Sequence, residues 1–222
     1  MTTTNSLADR DLRQRQIIPP ERLAVCRATV VGVGAIGRQV ALQLAAIGVP
    51  SLQLIDFDTV EAVNLGPQGY FEADIGDPKV SATAALCSQL NSSIRVQGIF
   101  ERFKRSMNDL GNVLFCCVDS IETRKLIWEA VRHKVELFVD GRMSAEVLRV
   151  LAVDDTAGQQ HYPSTLFSAG EAFAGTCTAR STVFCANIAA GLMVSQLAKH
   201  LRRLPVERDM TLNLLSAELT VA

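Results

Sequence analysis

The sequence predicts an α/β protein with a Rossmann-like, doubly wound and mostly parallel sheet, to which antiparallel strands are added in the C-terminal part. Three observations carry this. Short apolar runs alternate with helix-period segments up to about residue 140. A Gly32-x-Gly34-x-x-Gly37 loop follows the first such run and opens the first long helix. Beyond residue 140 the alternation stops, although apolar segments continue.

Arg27 to Val31 reads as the first strand. The helix after it carries Ile36, Val40, Leu44 and Ile47 on one stripe and ends at Gly48 and Pro50. Ser51 to Asp56 is the second strand. Pro78 to Leu90 is a helix with Pro78 near its first turn and Val80, Ala84, Cys87 and Leu90 in register. Ile94 to Ile99 is the third strand. Asn112 to Val118 is the fourth, almost wholly apolar as a strand buried on both faces must be. Ile121 to Lys134 is helical, and Val135 to Val139 makes a fifth strand. Ala145 to Val153 follows as a strand joined to its neighbour by a tight turn, then Val183 to Leu201 as a long apolar helix and Thr211 to Thr220 as a closing strand. Thr156 to Ser181, rich in Gly, Ser, Thr and Ala, shows no period and is expected to be a long loop carrying Cys177. No repeat or linker divides residues 1–222, so one domain is expected.

A chain of 222 residues with 48% hydrophobic content is large enough for one full core. Its formal net charge of -1 argues against a nucleic-acid partner. No apolar stretch approaches the ~18 residues of a membrane span, and Met1 to Arg15 lacks the apolar centre of a secretory signal. The cysteines Cys26, Cys87, Cys116, Cys117, Cys177 and Cys185 form no CxxC pair, so with only His133, His161 and His200 beside them no zinc is expected. Free thiols without a secretory signal point to the cytoplasm.

The glycine loop lets backbone amides and a helix N-terminus approach an anion, in the context phosphate binding requires. Asp56 lies 24 positions after Gly32 and suits a ribose hydroxyl, which leaves NAD and ATP both open. The acidic stretch Asp56-Phe57-Asp58-Thr59-Val60-Glu61-Ala62-Val63-Asn64-Leu65 is unlike a usual dehydrogenase strand exit. Lys79 stands at a helix start, either reaching a phosphate or simply exposed there. Asp119 and Ser120 precede another helix, so either can be its N-cap. Asp140, Arg142 and Glu146 put charge at a strand end, as channel lining or as an ion pair.

In order and spacing, "GVGAIG", "DFDTVEAVNL", "GDPKV" and "CVDS" followed by a helix with Arg124 resemble the ThiF/MoeB/HesA family, prokaryotic relatives of ubiquitin-activating enzymes. The likeness is good over roughly residues 13–153. It implies an ATP- and magnesium-dependent enzyme that adenylates the C-terminal carboxylate of a small ubiquitin-like or sulfur-carrier protein, as a homodimer. It further implies that Gly34 and Ala35 lie under the nucleotide phosphates and that Asp56 binds ribose. Asn64, Gln68 and Lys79 are implied at the phosphates, Asp119 at the metal with Ser120 beside it. Arg15 matches the arginine that family dimers supply to the partner's site, although it also suits the solvated face of an arginine-rich helix.

Two departures stand out. Ala35 replaces the second of two adjacent family glycines, and Pro67 in "NLGPQ" replaces the phosphate-contacting arginine of "NLxRQ". Proline has neither charge nor backbone donor, so a non-catalytic ATP-binding scaffold is one alternative. An enzyme acting on a tRNA-base or peptide carboxylate is another. Cys177 in "GTCTARST" resembles the thioester cysteine of ubiquitin-activating enzymes, with Arg180 nearby to favour its thiolate; the other reading is a small residue in a Gly/Ala loop.

Overall fold

The computed structural model describes residues 10–167 and 182–222. Its strands are β1 (Arg27–Val31), β2 (Ser51–Asp56), β3 (Arg95–Phe100), β4 (Val113–Cys116), β5 (Leu137–Ser144), β6 (Val147–Val153), β7 (Asp209–Asn213) and β8 (Glu218–Val221). The helices are α1 (Pro20–Leu23), α2 (Ala35–Ile47), α3 (Leu65–Gln68), α4 (Lys79–Leu90), α5 (Ile121–Val131), α6 (Thr156–His161) and α7 (Val183–Leu201). The strands form one sheet in the order β3-β2-β1-β4-β5-β6-β7-β8. β3 to β5 in that order are parallel, and β6, β7 and β8 add on antiparallel. Strand order reverses between β1 and β4, and in such sheets ligands bind beyond the carboxyl ends of the strands at that reversal.

Alternation along each strand divides two cores. Val30, Leu54, Phe115, Val139 and Val150 point to the face covered by α2, α4 and α7, where they meet Val40, Leu44, Val80, Ala189 and Met193. Val31, Ile55, Leu114, Cys116 and Leu151 point to the other face, under α5. There Trp128, Phe138 and Tyr162 form an aromatic cluster with centroids 4.7 to 5.2 Å apart, a spacing suited to edge-to-face packing.

Several expected boundaries change. The predicted closing strand is a hairpin, β7 and β8, whose turn is made by Asn213 Oδ1 accepting from the N–H groups of Leu215 (3.0 Å) and Ser216 (3.5 Å). The segment expected to be irregular from residue 156 begins with α6, because Asp155 caps Gly158 N–H at 2.6 Å, and continues as a 3-10 turn over Tyr162–Thr165. The arginine-rich stretch around Arg15 is a run of turns rather than a helix, closed by Pro19 and Pro20. Cys117 lies one residue past β4, half-buried, while Cys26, Cys87, Cys116 and Cys185 are buried. Burial pushes the Cys26 and Cys87 thiols up to about 12, with Glu136 adding to the effect at Cys26 and Arg38 opposing it at Cys87, so both act as neutral packing groups.

The antiparallel extension carries its own ion cluster. Arg149 on β6 donates to both Asp209 oxygens, Nε at 2.8 Å and Nη2 at 2.6 Å, and His161 Nε2 lies 2.9 Å from the same carboxylate. Burial alone would raise Asp209, but the bonds from Arg149 and His161 outweigh it and hold the group below its ordinary 3.8. A depressed carboxylate contributes stability above the unfolded value and loses it as pH falls through the folded one. The urea midpoint of the wild type is therefore expected to exceed that of Asp209→Asn at pH 6 and to converge on it as pH falls below the ordinary value of 3.8 and through the depressed folded one. A gap that stays constant with pH would remove this assignment.

Candidate functional site

The crevice at the strand-order reversal is built around the glycine loop. Gly32 adopts φ +85°, and a Cβ there would stand 2.8 Å from Cys117 O, so only glycine fits both the conformation and the space. Gly37 lets α2 close on the loop, since a Cβ would fall 1.8 Å from Gly32 O. Gly34 occupies the N-cap of α2 and Ala35 its first position, and no side chain caps this helix. Its first-turn amides thus open into the crevice beside a positive helix end. Gly37→Ala sets Cβ against backbone and is expected to abolish protection by ATP in a thermal melt as well as lowering the midpoint; unchanged protection would contradict the packing role.

Asp56 ends β2 and fastens this loop. Its Oδ2 accepts Val33 N–H at 2.7 Å and its Oδ1 accepts Asp58 N–H at 2.9 Å. Burial raises its pKa, while the Asp58 and Val33 N–H groups and Lys79 pull the other way. Lys79, at the first position of α4, is not the exposed terminal lysine of one sequence reading: its side chain is 7% exposed and Nζ lies 3.2 Å from Asp58 Oδ2. Tyr70 underpins both groups, its hydroxyl donating to Val33 O at 2.6 Å and lying 3.1 Å from Thr83 Oγ1.

Asn64 and Glu61 form a reciprocal capping box, Asn64 Oδ1 accepting Glu61 N–H at 2.9 Å. Gln68 Oε1 is buried with no hydrogen-bond partner among the described residues, and it faces Gly34, 4.0 Å from where a Cβ would be. Such an orphaned acceptor is unfavourable unless a ligand supplies a donor. Pro67 is half-buried in α3.

At the end of β4, Ser120 is the N-cap of α5: its Oγ accepts Thr123 N–H at 3.3 Å and donates to Glu122 Oε2 at 2.8 Å. That leaves Asp119 uncommitted, an exposed carboxylate with no hydrogen bond or ion pair to any described residue. Behind it, Asp140 is fully buried between two guanidiniums, paired with Arg124 and with Arg142 Nε at 2.9 Å, and accepts Tyr162 OH at 2.9 Å. Asp140 and Arg142 are thus an ion pair rather than channel lining. Arg124 also donates to Val118 O and Gly141 O, which fixes the turn before Asp119.

The structure brings Gly34, Ala35, Asp56, Gln68 and Lys79 together, and sets Asp119 and Ser120 at the neighbouring strand end. It does not bring Arg15 there. Arg10 and Gln14 anchor that segment to Ala46 O, Ile47 O and Leu90 O, at the carboxyl ends of α2 and α4. A helix of 13 residues, as α2 is, puts about 20 Å between that end and the loop. Cys177 and Arg180 lie outside the described residues. Arg38 and Tyr70 were missed from sequence, because a polar residue on an amphipathic helix reads as solvent-facing until residues 65–71 are seen to fold over it.

This architecture is a Rossmann-like doubly wound fold with an antiparallel extension, and the chain belongs to the ThiF family, whose model matches residues 10–219. It is 36% identical to the "Adenylyltransferase and sulfurtransferase MOCS3" of Bos taurus over 128 residues, 52% of this chain and 28% of that protein. It is 31% identical to the "SAMP-activating enzyme E1" of Haloferax volcanii over 146 residues, 60% of this chain and 54% of the relative. Aligned regions therefore span between about a quarter and about half the length of these curated relatives. Among solved structures, that of PaaA superposes with a TM-score of 0.79 at 20% identity, covering 100% of this chain and 75% of the other. Escherichia coli MccB with ATP gives 0.74 at 16%, covering 99% and 72%. At these identities the likeness is one of fold. No helix among the described residues is long and apolar enough to cross a membrane.

Proposed function

We propose that this chain is a single ThiF-type adenylation domain that uses ATP to activate the C-terminal carboxylate of a small ubiquitin-like or sulfur-carrier protein. The observation that carries the reading is the convergence of a glycine loop, Asp56, Lys79 and the uncommitted Asp119 at the strand-order reversal. The carboxylate oxygen bonds to the α-phosphorus, the bridge to the β-phosphate breaks, and pyrophosphate leaves. Asp56 accepts from the ribose hydroxyls, Gly34 and Ala35 face the phosphates, and Asn64 and Gln68 orient them through their amide N–H groups, the Gln68 amide turning so that its nitrogen takes the place of Oε1. Lys79 offsets the charge gathering on the leaving pyrophosphate without having to reorganise.

Magnesium fits Asp119, a single hard carboxylate that can join phosphate oxygens and water around the ion. When bound, it supplies electrostatic stabilisation of the polyphosphate. No group of three or more His, Cys, Asp or Glu among the described residues is placed to hold a metal by itself.

Arg15 lies away from this chain's own site, so the reading assigns it to a second copy's site in a homodimer, and it places that homodimer in the cytoplasm. The exposed apolar Val63, Phe71, Phe184 and Ile188 offer surface for it. Cys177 then takes the acyl group from the adenylate as a thioester, releasing AMP.

Pro67 favours one alternative, an ATP-binding subunit that does not adenylate. ATP–pyrophosphate exchange with candidate carriers ending in a free carboxylate separates the two. Carrier-dependent exchange is the expected result; ATP binding with no exchange for any carrier would leave the scaffold reading.

A further inference from the structure

The largest fully buried side chain among the described residues is Arg38, 1% exposed on the first turn of α2. All its partners are neutral. Nε and Nη2 donate to Gly69 O at 3.2 and 3.0 Å, Nη1 donates to Thr83 Oγ1 at 3.5 Å, and the guanidinium lies 4.1 Å from the Tyr70 ring centroid. The other buried cations each have an acid in contact, Lys79 with Asp58 and Arg124 with Asp140. Asp74 is near enough to favour the charge at longer range, but its Oδ2 accepts Phe71 N–H at 2.9 Å. An arginine stays protonated even when burial disfavours it, and a buried charge without a counter-charge is costly.

That surplus charge sits beneath the glycine loop. Arg38 N–H donates to Gly34 O at 3.1 Å, and Tyr70, on whose ring the guanidinium stacks, donates its hydroxyl to Val33 O at 2.6 Å. We propose that Arg38 is a fixed internal cation for the polyphosphate of a bound nucleotide, acting through its field across the loop and not by contact. The proposal rests on the nucleotide reading of this site. It differs from a packing role in one measurable respect: a field acts in proportion to ligand charge, whereas loss of packing at Gly69 and Tyr70 affects every nucleoside alike. Low local dielectric and distance from solvent also keep such an interaction from being screened as a surface lysine is.

The experiment is a calorimetric titration of the whole chain with adenosine, AMP, ADP and ATP. Arg38→Gln, which retains a donor toward Gly69 O, is expected to bind adenosine as the wild type does and to lose affinity stepwise with each phosphate, reaching about tenfold or more for ATP. Thr83→Asp leaves Arg38 in place but gives it a counter-charge, and is expected to reproduce the same graded loss. Arg38→Lys keeps the charge and is expected to retain most of the ATP affinity. Equal loss for all four ligands, or Thr83→Asp binding ATP as the wild type does, would overturn the proposal alone. A wild type that binds none of the four overturns the nucleotide reading and the proposal together.

Discussion

Lys79→Met is expected to cut carrier-dependent pyrophosphate exchange by about a hundredfold or more, with little change in melting temperature. Methionine keeps the volume of the buried stem. The partner it strands, Asp58, has a side chain 47% exposed, so water takes over its solvation and the cost to the fold is small. The cost to the reaction is larger, because the ammonium sits on the first turn of α4, already dehydrated and aimed by Asp58. A cation positioned in this way stabilises charge that grows between ground and transition state, so the loss is expected mainly in kcat and less in KM for ATP. Exchange reduced less than about threefold would exclude Lys79 from that role.

Asp140→Asn is expected to be the most destabilising polar substitution. The carboxylate is 0% exposed and holds Arg124, Arg142 and the Tyr162 hydroxyl at once. Removing its charge leaves the buried Arg124 and the half-buried Arg142 guanidiniums facing each other, a loss of about 3–5 kcal/mol, or about 10 °C in melting temperature for a chain of this size. The double change Asp140→Leu with Arg142→Met removes one surplus cation and fills the space with apolar atoms, so it is expected to recover part of that loss. Urea denaturation of the two variants checks both statements. A single variant within about 1 kcal/mol of the wild type would mean that water reaches the cluster.

Most of this architecture is legible in the chain itself, for reasons that differ by element. Val183–Leu201 is a helix with the predicted ends because Thr182 caps it and the apolar run simply stops at Arg202. β4 betrays itself by an unbroken apolar stretch, the other inner parallel strands by short apolar runs set between helix-period segments, and the glycine loop by spacing that close backbone approach imposes. The β7–β8 turn was hidden because its signal is one asparagine side chain bonding forward, with Ala217 at φ +53° where a glycine would have announced the turn. α6 was hidden by the Gly and Gln that dilute its pattern, although Asp155 was a legible cap. Within the candidate site, residues that meet a ligand through short motifs could be found, while those that meet each other could not. Arg38 and Gly69, or Arg142 and Thr165, are 31 and 23 positions apart, and no local pattern encodes that contact.

Gly34 has one more consequence. Because it brings no side chain to the start of α2, that helix is finished by whatever anion occupies the crevice. Ligand occupancy is then a thermodynamic variable of folding: a nucleotide at a hundred times its Kd adds about 2.7 kcal/mol to the native state. Fluctuations in the cellular nucleotide pool would set the chain's lifetime against proteolysis as well as its turnover.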